Sequence, residues 1–589
     1  MATYRYATKD LSIATAKAFL RSITYTGGDP AAAVYYVVLG NIFPYPNEPT
    51  PVLPEDNEQY LKYESHRRFI GGKKVTPADA CHVTDRHNWV SGTVYSMYRD
   101  TDVDMYDRAF YVLTDEYNVY KCLYNNKNSA STVKPTGFST IAFTTSDGYT
   151  WKYMYTISLG DANKFLTAAH MPVRKAEAGE TSAESSRQLD VQDAAVNGSI
   201  EIVETVQVGS GYATVANGVV AQANSNSLTL LSTNDVSPIN NYYVGSSVYI
   251  SSGSGSGQLR RIIKYSGASK QLVVNTAFTT PANNDSRVVI SPSVVIVGDG
   301  KGAEAYSSVD TSTGAISSIN VIDTGSEYTR AKAYITANTD HGAGATANVV
   351  ISPTGGHGSD AIKELFADKI LLNVTFNGEE GVSANGNGYI PSNTEFRTVT
   401  VLRNPVLKVD SNNNIIATEV VANTSNSPST LRFTTRAQIS YLQMANSAPS
   451  NPLHVRETIT NERMRLRAEQ GQLEFVTELN PIQRKSKSLE NAVRAANANI
   501  VYIREDETET DASFYTVYLN NVDSYGEYPA FVKDDEILVS DSETKIATIE
   551  AIKGPEANTF SGEVVFTENI QAVDRDLEQT EDIKIILDF

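Results

Sequence analysis

The sequence predicts a mainly β fold of the α+β type, with a β-sandwich-based core, inserted all-β modules and a few helices. Two observations carry this prediction. Segments with period-two alternation recur along the chain, and residues 200–354 are rich in Gly, Ser, Thr, Val and Asn but lack helical spacing. The chain has 589 residues, of which 41% are hydrophobic, so it can form several domains with ordinary cores.

The amino-terminal segment predicts one helix followed by one buried strand. Apolar residues spaced i, i+3, i+4 and i+7 form a single stripe, at Ala16, Phe19, Leu20 and Ile23. The sequence GGDP at 27–30 ends this pattern. The following run AVYYVVLG, at 33–40, is almost continuously apolar, so we expect a strand that is covered on both faces.

A second strand is predicted from residue 149 to residue 158. Its apolar positions alternate with Thr150, Lys152, Met154, Thr156 and Ser158, and they are Tyr149, Trp151, Tyr153, Tyr155 and Ile157. This aromatic face could stack against sugars. Five alternating apolar residues are, however, what a half-buried strand requires, so we interpret the face as core packing.

Residues 175–199 are small and polar, which indicates a connector before the all-β module. The module contains a weak internal repeat, because IEIVETVQVGSGYATV at 200–215 resembles ISSINVIDTGSEYTRA at 316–331. A glycine-led β run follows each copy. A more distant echo of the hairpins between the copies occurs at 531–552. Short glycine-rich similarity can also arise by chance.

The second half of the chain returns to α+β character. Ser359 and Asp360 can cap a short helix with the sequence AIKELFADK. Strands are predicted at 370–376 and 396–405, helix at 456–500, and strands again from 512 to the alternating end IKIILDF. The resulting division has core segments at 1–178, 355–455 and 556–589, a linker at 179–199, the all-β module at 200–354, and a helical-then-β insertion at 456–555.

Charge and cysteine content limit the possible partners and setting. The 68 acidic and 49 basic residues give a net charge of −19, which disfavours general binding to a phosphate backbone, and Arg260-Arg261 is too short to be a basic patch. The start MATYRYATKDLS lacks signal-peptide features, and no window approaches 18 consecutive apolar residues. Two cysteines, Cys81 and Cys122, do not make a disulfide framework, so folding in a reducing cytoplasm is expected.

Two residue groups could in principle hold a metal. Cys81 and His82, with His66 and His87, offer a thiolate and imidazoles to Zn²⁺, but the spacing is not that of a zinc finger. The aspartates at 102, 104 and 107 resemble part of a calcium loop, yet the glycine and distal glutamate of an EF-hand are missing. Packing and a solvated turn are the preferred interpretations, and no metal site is predicted.

Candidates for catalysis or cofactor binding also have simpler interpretations. GDGKGAE at 298–304 follows a strand but precedes a β-like run, so it predicts a hairpin turn and not a dinucleotide site. His357 could act as a base, but no serine-elbow motif accompanies it. The carboxylates at 505–511 and 534–535 are expected on the surface of an acidic chain. We therefore predict no enzyme activity, no cofactor, and no catalytic or cofactor-binding residue.

Five separated segments resemble one family, the baseplate wedge subunit known as gene product eight of T-even-like contractile-tailed bacteriophages. They occur in the family's order and cover about half the chain. The segments are TKDLSIATAKAFLRSI to YYVVLGN (8–41), FYVLTDEYNVYKCLYNN to DGYTWKYMYTI (110–157), GGHGSDAIKEL (355–365), FRTVTVLRNP (396–405), and GEVVFTEN with EQTEDIKIILDF (562–589). The residues at 195–352 and much of 455–555 have no counterpart in the shorter family members.

The resemblance implies a non-enzymatic β-sandwich subunit that forms a homodimer and contacts other wedge subunits in the virion's tail baseplate. Such a subunit would be made in the host cytoplasm and would transmit rearrangement during tail contraction. The 33 tyrosines suit protein contacts of this kind. The alternatives from other classes are a β-rich tail adhesin that binds glycans and a carbohydrate-cleaving tail enzyme.

Overall fold

The computed structural model describes most of the chain. The described residues are 8–24, 32–54, 58–231, 236–338, 341–378, 390, 394–408, 429–442, 483–485, 496–508, 512–524, 531, 533–538, 545–576 and 578–589. Within these residues the fold is mainly β, as the sequence predicts. The helices are α1 (Lys9–Thr24), α2 (Glu58–Arg68), α3 (Leu159–Phe165), α4 (Ala183–Asp193) and α5 (Ala361–Glu364).

Strands account for most of the regular structure. In chain order they are β1 (Tyr35–Gly40), β2 (Phe69–Lys74), β3 (Ala80–Asp85), β4 (Tyr111–Leu113), β5 (Asn118–Asn125), β6 (Phe143–Thr144), β7 (Tyr149–Thr156), β8 (His170–Val173), β9 (Ile202–Ser210), β10 (Val215–Ala223), β11 (Ser227–Leu230), β12 (Ser246–Ser252), β13 (Leu259–Ser266), β14 (Gln271–Val274), β15 (Arg287–Gly298), β16 (Lys301–Asp310), β17 (Ala315–Ser326), β18 (Ala331–Thr336), β19 (Ala343–Val350), β20 (Lys369–Asn377), β21 (Thr394–Arg403), β22 (Thr430–Arg432), β23 (Thr435–Leu442), β24 (Gln483–Lys485), β25 (Ala496–Thr508), β26 (Ala512–Ser524), β27 (Glu536–Leu538), β28 (Lys545–Lys553), β29 (Glu563–Arg575) and β30 (Thr580–Asp588).

The chain divides into two compact units. Unit 1 contains residues 1–13 and 82–369, and unit 2 contains residues 14–81 and 370–589. The segments that the sequence places in one core are therefore divided between two units. Each unit has its own buried apolar clusters, which include Trp151 in unit 1 and Val401 in unit 2.

Unit 2 is built on a five-stranded sheet in the order β22-β2-β1-β21-β29. Every residue of β1 is buried, which confirms the expectation that this strand is covered on both faces. The antiparallel register places Val37 opposite Val401, and Val401 opposite Phe566. Helix α1 contributes Ala16 and Ile23 to the apolar cluster, as its periodicity predicts.

The carboxyl-terminal strand packs in the same cluster as the amino-terminal helix. Ile585 and Leu587 of β30 are buried, and the ring of Phe589 lies 5.3 Å from the ring of Phe19. The prediction that the apolar face of IKIILDF joins a core with the amino-terminal residues is confirmed. Unit 2 also contains a six-stranded sheet, in the order β24-β27-β28-β23-β26-β25.

The core of unit 1 is a four-stranded sheet in the order β4-β5-β7-β6. The aromatic face of β7 lies in the core, as predicted, but the expectation that β7 is only half buried is wrong. Lys152 and Met154, on its other face, are buried as well. Helix α4 packs against β7, and its Val191 belongs to the same apolar cluster.

Two local predictions need correction. Helix α4 lies inside the segment that was predicted to be a linker, because the Ser182 side chain accepts a hydrogen bond from Ser185 N and caps the helix. The helix expected at 456–500 falls largely outside the described residues. Where this segment is described, at 483–485 and from 496 onward, the chain forms strands, and Ala498 and Val501 are buried.

Residues 213–231 and 236–292 form a closed six-stranded antiparallel barrel, which we call the guest barrel. Its strands pair in a ring, in the order β10-β11-β14-β13-β12-β15 and back to β10. Alternate residues such as Val248, Ile250 and Ile262 fill the interior. Closure leaves no unpaired sheet edge, so this module needs no further strand to complete it.

A second six-stranded module, which we call the duplicated barrel, shares β15 with the guest barrel. Its strand order is β17-β16-β15-β18-β19-β9. Its two ends approach each other, since Ile200 N, just before β9, donates a hydrogen bond to Thr324 O of β17 at 2.8 Å. The hairpin turn predicted at 298–304 is confirmed, because it connects β15 to β16.

The two copies of the internal repeat occupy equivalent places in the duplicated barrel. β9 pairs with β19 so that Val208 is opposite Ala345, and β17 pairs with β16 so that Thr324 is opposite Ala303. Each pairing carries a register shift at the matching step, Thr346/Ala347 in one and Glu304/Ala305 in the other. β15 and β18 pair at the centre of this strand order, with Val295 opposite Tyr334, and the two repeat strands β9 and β17 lie at its two ends.

Each copy is held by the same glycine–tyrosine contact, which we call the lock. Gly209 and Gly325 have φ values of 62° and 60°, and a tyrosine follows three residues later. The Tyr212 hydroxyl accepts a hydrogen bond from Ala345 N at 3.0 Å, and the Tyr328 hydroxyl accepts one from Ala303 N at 3.4 Å. The backbone of the partner strand approaches both glycines closely, which leaves no room for a Cβ atom.

Substituting alanine for either lock glycine should therefore destabilise its hairpin. A Cβ at Gly209 would lie 2.7 Å from Ala345 N, and one at Gly325 would lie 2.5 Å from Ala303 N. We expect each change to cost about 2–4 kcal/mol, since close contact adds to the strain of positive φ. Hydrogen exchange of the β9 and β17 peptides measures this effect.

Gly137 offers a matched control, because it has φ of 87° but nothing within 4 Å of its Cβ position. Gly137→Ala should cost only the strain of the backbone, about 1 kcal/mol. Equal protection of β9 and β17 in all three variants would contradict the lock.

Candidate functional site

A buried cluster of charged and polar side chains lies in unit 1, around Lys121. Its Nζ donates hydrogen bonds to Glu364 Oε2 at 2.9 Å and to His357 Nδ1 at 3.0 Å. The Tyr98 ring lies beneath the same ammonium group, 4.0 Å from Nζ. The side chains of Lys121, His357 and Glu364 are 2% exposed or less, so this cluster cannot reach a substrate in solution.

The sheet itself creates the need for these contacts. Lys121 of β5 is directly opposite Lys152 of β7, and both side chains are buried. Two like charges at opposed positions repel each other, and burial removes the water that would solvate them. Lys152 Nζ donates to Thr140 O at 2.6 Å, and Glu201 acts on both lysines electrostatically.

The carboxylate of Glu364 is fixed by backbone groups as well as by lysine. Glu364 Oε1 accepts hydrogen bonds from Gly358 N at 2.8 Å and Asp360 N at 3.3 Å. Burial is the largest single influence and would raise the pKa of Glu364, but the charge of Lys121 and the hydrogen bonds from its neighbours together outweigh burial and bring the pKa to about 2. Glu364 is thus a carboxylate at neutral pH.

His357 serves as a neutral acceptor. Burial lowers the pKa of His357, and the neighbouring Lys121 lowers it further. The unprotonated Nδ1 can then accept the hydrogen bond from Lys121 Nζ. Burial also lowers the pKa of Lys121, while Glu364 opposes this shift; we take the pair as ionised because two backbone N–H groups already favour the carboxylate.

The turn that supplies His357 and Glu364 depends on local sequence. Gly356 and Gly358 flank His357 with φ values of 96° and 95°, which non-glycine residues rarely adopt. Asp360 then caps α5 by accepting from Ile362 N and Lys363 N. The helix predicted here is present but shorter than expected, since it ends at Glu364.

The entry and exit of the β module lie side by side in unit 1. Ser352 N donates to Ser199 O, and Ser199 N donates to Ser352 Oγ, both at 2.9 Å. Arg99 forms a bidentate ion pair with Glu204 of β9, in which Nη1 and Nη2 donate to the two carboxylate oxygens at 2.7 and 3.0 Å. These contacts fix the first strand of the duplicated barrel to the neighbouring core.

The four residues considered for zinc take part in separate contacts. His82 Nδ1 is 3.0 Å from Ala367 O, the two ring nitrogens of His66 face Lys62 O and Ser561 O, and the His87 ring lies 5.1 Å from the Tyr111 ring. Cys81 is buried beside His82 on β3, where successive side chains point to opposite faces. Among the described residues no group of three His, Cys, Asp or Glu side chains could hold a metal ion.

The remaining candidates also have structural partners. Asp102 accepts from Arg108 Nε at 2.6 Å and from Asp104 N at 3.1 Å, so it organises a turn. Of the carboxylates at 534–535, Asp534 is exposed as expected, but the surface prediction is wrong for Asp535, which is buried. The turn is fixed against β28, since Asp534 N donates to Ile549 O and Ile549 N donates to Asp535 O. The side chains at 505–511 lie outside the described residues.

Sequence reasoning noticed His357 but missed its two charged partners. Lys121 stands inside the apolar run NVYKCLYN, and a charged residue within a buried strand is a signal for a hidden partner. The sequence does not say that this partner, Glu364, lies 243 residues further along the chain. The cluster neutralises buried charges inside the core of unit 1, which is a structural role.

A scan against protein-family models finds no match for this chain, and a search of curated proteins finds no similar sequence. Within the described part of the chain, no helix is long and apolar enough to cross a membrane.

Removing one partner of the buried ion pair should strongly destabilise unit 1. Lys121→Met leaves the Glu364 carboxylate buried without its cation, and we expect a loss of about 3–5 kcal/mol in the free energy of unfolding. The double variant Lys121→Met/Glu364→Gln should recover part of this loss, because no unpaired charge remains. Denaturant unfolding followed by the fluorescence of Trp89 and Trp151, which both lie in unit 1, measures the effect.

Lys134 provides the matched control, because it forms ion pairs with Asp115 and Glu116 at the surface. Lys134→Met should leave the unfolding transition nearly unchanged. If Lys121→Met were as mild as Lys134→Met, the buried pair would not support the core.

Proposed function

We propose that this chain is a structural subunit of the baseplate wedge in a contractile-tailed bacteriophage, similar to gene product eight of the T-even-like phages. It would assemble through protein–protein contacts, as a homodimer and with other wedge subunits. Its mechanism would be mechanical, since a rigid subunit can move as a body when the tail sheath contracts.

The observation that carries the proposal is the convergence of the family-like segments in space. In unit 2, β1, β21 and β29 come from segments that begin at residues 8, 396 and 562 of the sequence, yet they are hydrogen-bonded neighbours in one sheet. The last family-like segment, which contains β30, packs in the same apolar cluster. Chance resemblances have no reason to meet in one core.

The same convergence occurs in unit 1. The segment at 110–157 supplies β5 and β7, and the segment at 355–365 supplies the carboxylate that pairs with Lys121. The residues without family counterpart, 195–352, form mainly the two barrels. The chain thus combines family-like cores with an added β module, and this arrangement supports a wedge subunit that carries an extra domain.

The alternative function is a β-rich tail adhesin or glycan-binding tail protein. It is favoured by one specific feature, the closed guest barrel with a serine- and asparagine-rich surface. An adhesin and a wedge subunit differ in what fails when the chain is missing, which allows a direct test.

The test is to delete the gene from the phage genome that encodes the chain and to image the resulting particles by electron microscopy. A wedge subunit is required for the baseplate, so we expect heads without complete tails, and restored tails when the chain is supplied from a plasmid. Complete contractile tails that fail only in attachment would overturn the proposal and support an adhesin. Supplying the Lys134→Met variant, which keeps the buried cluster, serves as the matched positive control.

A further inference from the structure

We infer that the guest barrel carries a binding face for an anionic polysaccharide. This inference goes beyond the proposed function and does not depend on it, since either a wedge subunit or an adhesin could carry such a face. It rests on the charge of the guest barrel, on the residues that one side of it exposes, and on how the barrel is attached.

The charge of the guest barrel is opposite to that of the whole chain. Residues 213–292 contain five basic and two acidic side chains, whereas the complete sequence has 49 basic and 68 acidic. A cationic module in an acidic protein attracts anionic polymers locally while the rest of the molecule repels them. Net charge alone would attract any polyanion, so selectivity for one class of polymer must come from the residues on the barrel surface.

One outer face of the barrel combines cationic and aromatic groups. On neighbouring strands β13, β12 and β15, inward residues such as Val248 and Val288 are buried, so Arg261, Tyr249 and Arg287 point outward. In the strand register, Leu259 of β13 and Val289 of β15 lie opposite Tyr249. Arg261 is two residues from Leu259, and Arg287 is two residues from Val289. Tyr249 therefore lies between two arginines on the same face.

The tyrosine between the arginines belongs to a stacked pair. The rings of Tyr249 and Tyr306 are 4.4 Å apart and inclined by only 16°. Both are partly exposed, and Ile263, two residues beyond Arg261 on β13, is 53% exposed. A partly exposed aromatic pair beside arginines suits a sugar ring that carries a carboxylate, sulfate or phosphate, because the sugar can contact an aromatic ring while the anion pairs with guanidinium.

The basic residues do not all serve the surface. Lys270 Nζ donates to Val236 O at 2.9 Å, and Arg260 donates to Ala277 O and lies over the Phe278 ring, so both support the barrel itself. Arg261 and Lys264 are exposed on β13. Ser251 and Ser252 are exposed at the end of β12, and their hydroxyl groups can hydrogen-bond to sugars. The net charge of −19 on the whole chain disfavours the continuous phosphate backbone of a nucleic acid.

The attachment of the barrel fits this role. The guest barrel begins after β9 and ends in the first half of β15, within the first copy of the duplicated motif, while the second copy runs from β17 to β18 without any insertion. The duplicated barrel can therefore be complete without its guest. A module that the scaffold does not need for folding is free to serve in binding.

The experiment compares dextran sulfate with uncharged dextran of the same length, by biolayer interferometry on the full chain. We expect binding to dextran sulfate only, weakened at high salt because exposed charge contacts are screened. The double reversal Arg261→Glu/Arg287→Glu should weaken binding about tenfold or more. The control Arg330→Glu/Lys332→Glu, on exposed residues of the duplicated barrel, makes the same change in net charge and should bind like the parent.

Equal weakening in both double variants would show that only total charge matters and would overturn the inference. Absence of binding, or equal binding to uncharged dextran, would do the same. Binding to oligo-deoxythymidine but not to dextran sulfate would assign the face to nucleic acid instead. Thermal melting of both variants confirms that these surface changes leave the barrel folded.

Discussion

The core of unit 1 depends on the neutralisation of two buried lysines. Lys121 and Lys152 are opposed on paired strands, where neither has water to solvate its charge. The compensating carboxylates come from opposite sides of the β module, Glu201 at its entry and Glu364 just after its exit. Both carboxylates are therefore in place only when the chain at the entry of the module and the chain after its exit both lie against the core.

This constraint explains why a long module is tolerated at this point. The cost of closing a loop rises only with the logarithm of its length, and the hydrogen bonds between Ser199 and Ser352 bring its two ends together. Between these two ends, the module forms its own strand pairings. The guest barrel closes its own ring of strands, and the duplicated barrel is held by two equivalent glycine–tyrosine locks.

Sequence patterns correctly predicted those helices and strands whose buried face is the face that their apolar periodicity defines. Helix α1, strand β1 and strand β30 bury the faces that their spacing indicates, because each packs against an ordinary apolar core. The internal repeat was visible because the lock requires glycine and tyrosine at fixed positions. The same residues, Gly209 and Tyr212, then make the same contacts as Gly325 and Tyr328.

The failures have an equally physical origin. Helix α4 was missed because a polar segment capped by Ser182 needs only Val191 and a few other residues to pack against β7. The buried cluster was missed because charged residues are normally exposed, and the partner that makes burial possible is remote in sequence. The sequence also did not predict that the family-like segments divide between two units, because the residues of a single strand do not specify which sheet that strand joins.

The family-like segments and the barrels have different roles in this chain. The family-like segments carry the cores and support the proposal of a wedge subunit. The barrels add surface, and among their described residues none acts on the charged cluster; Glu201, which does, comes just before β9. If this division is right, the core should need the ends of the module but not the module itself.

Replacing residues 205–347 with a short Gly/Ser linker, while keeping Glu201 and the Ser199–Ser352 closure, tests this most directly. Hydrogen exchange of the β5 and β7 peptides is the measurement. The account predicts that both strands stay as protected as in the full chain, because the lysines keep both carboxylates. Loss of protection in β5 and β7 would contradict it, and would mean that the barrels are part of the folding unit of the core.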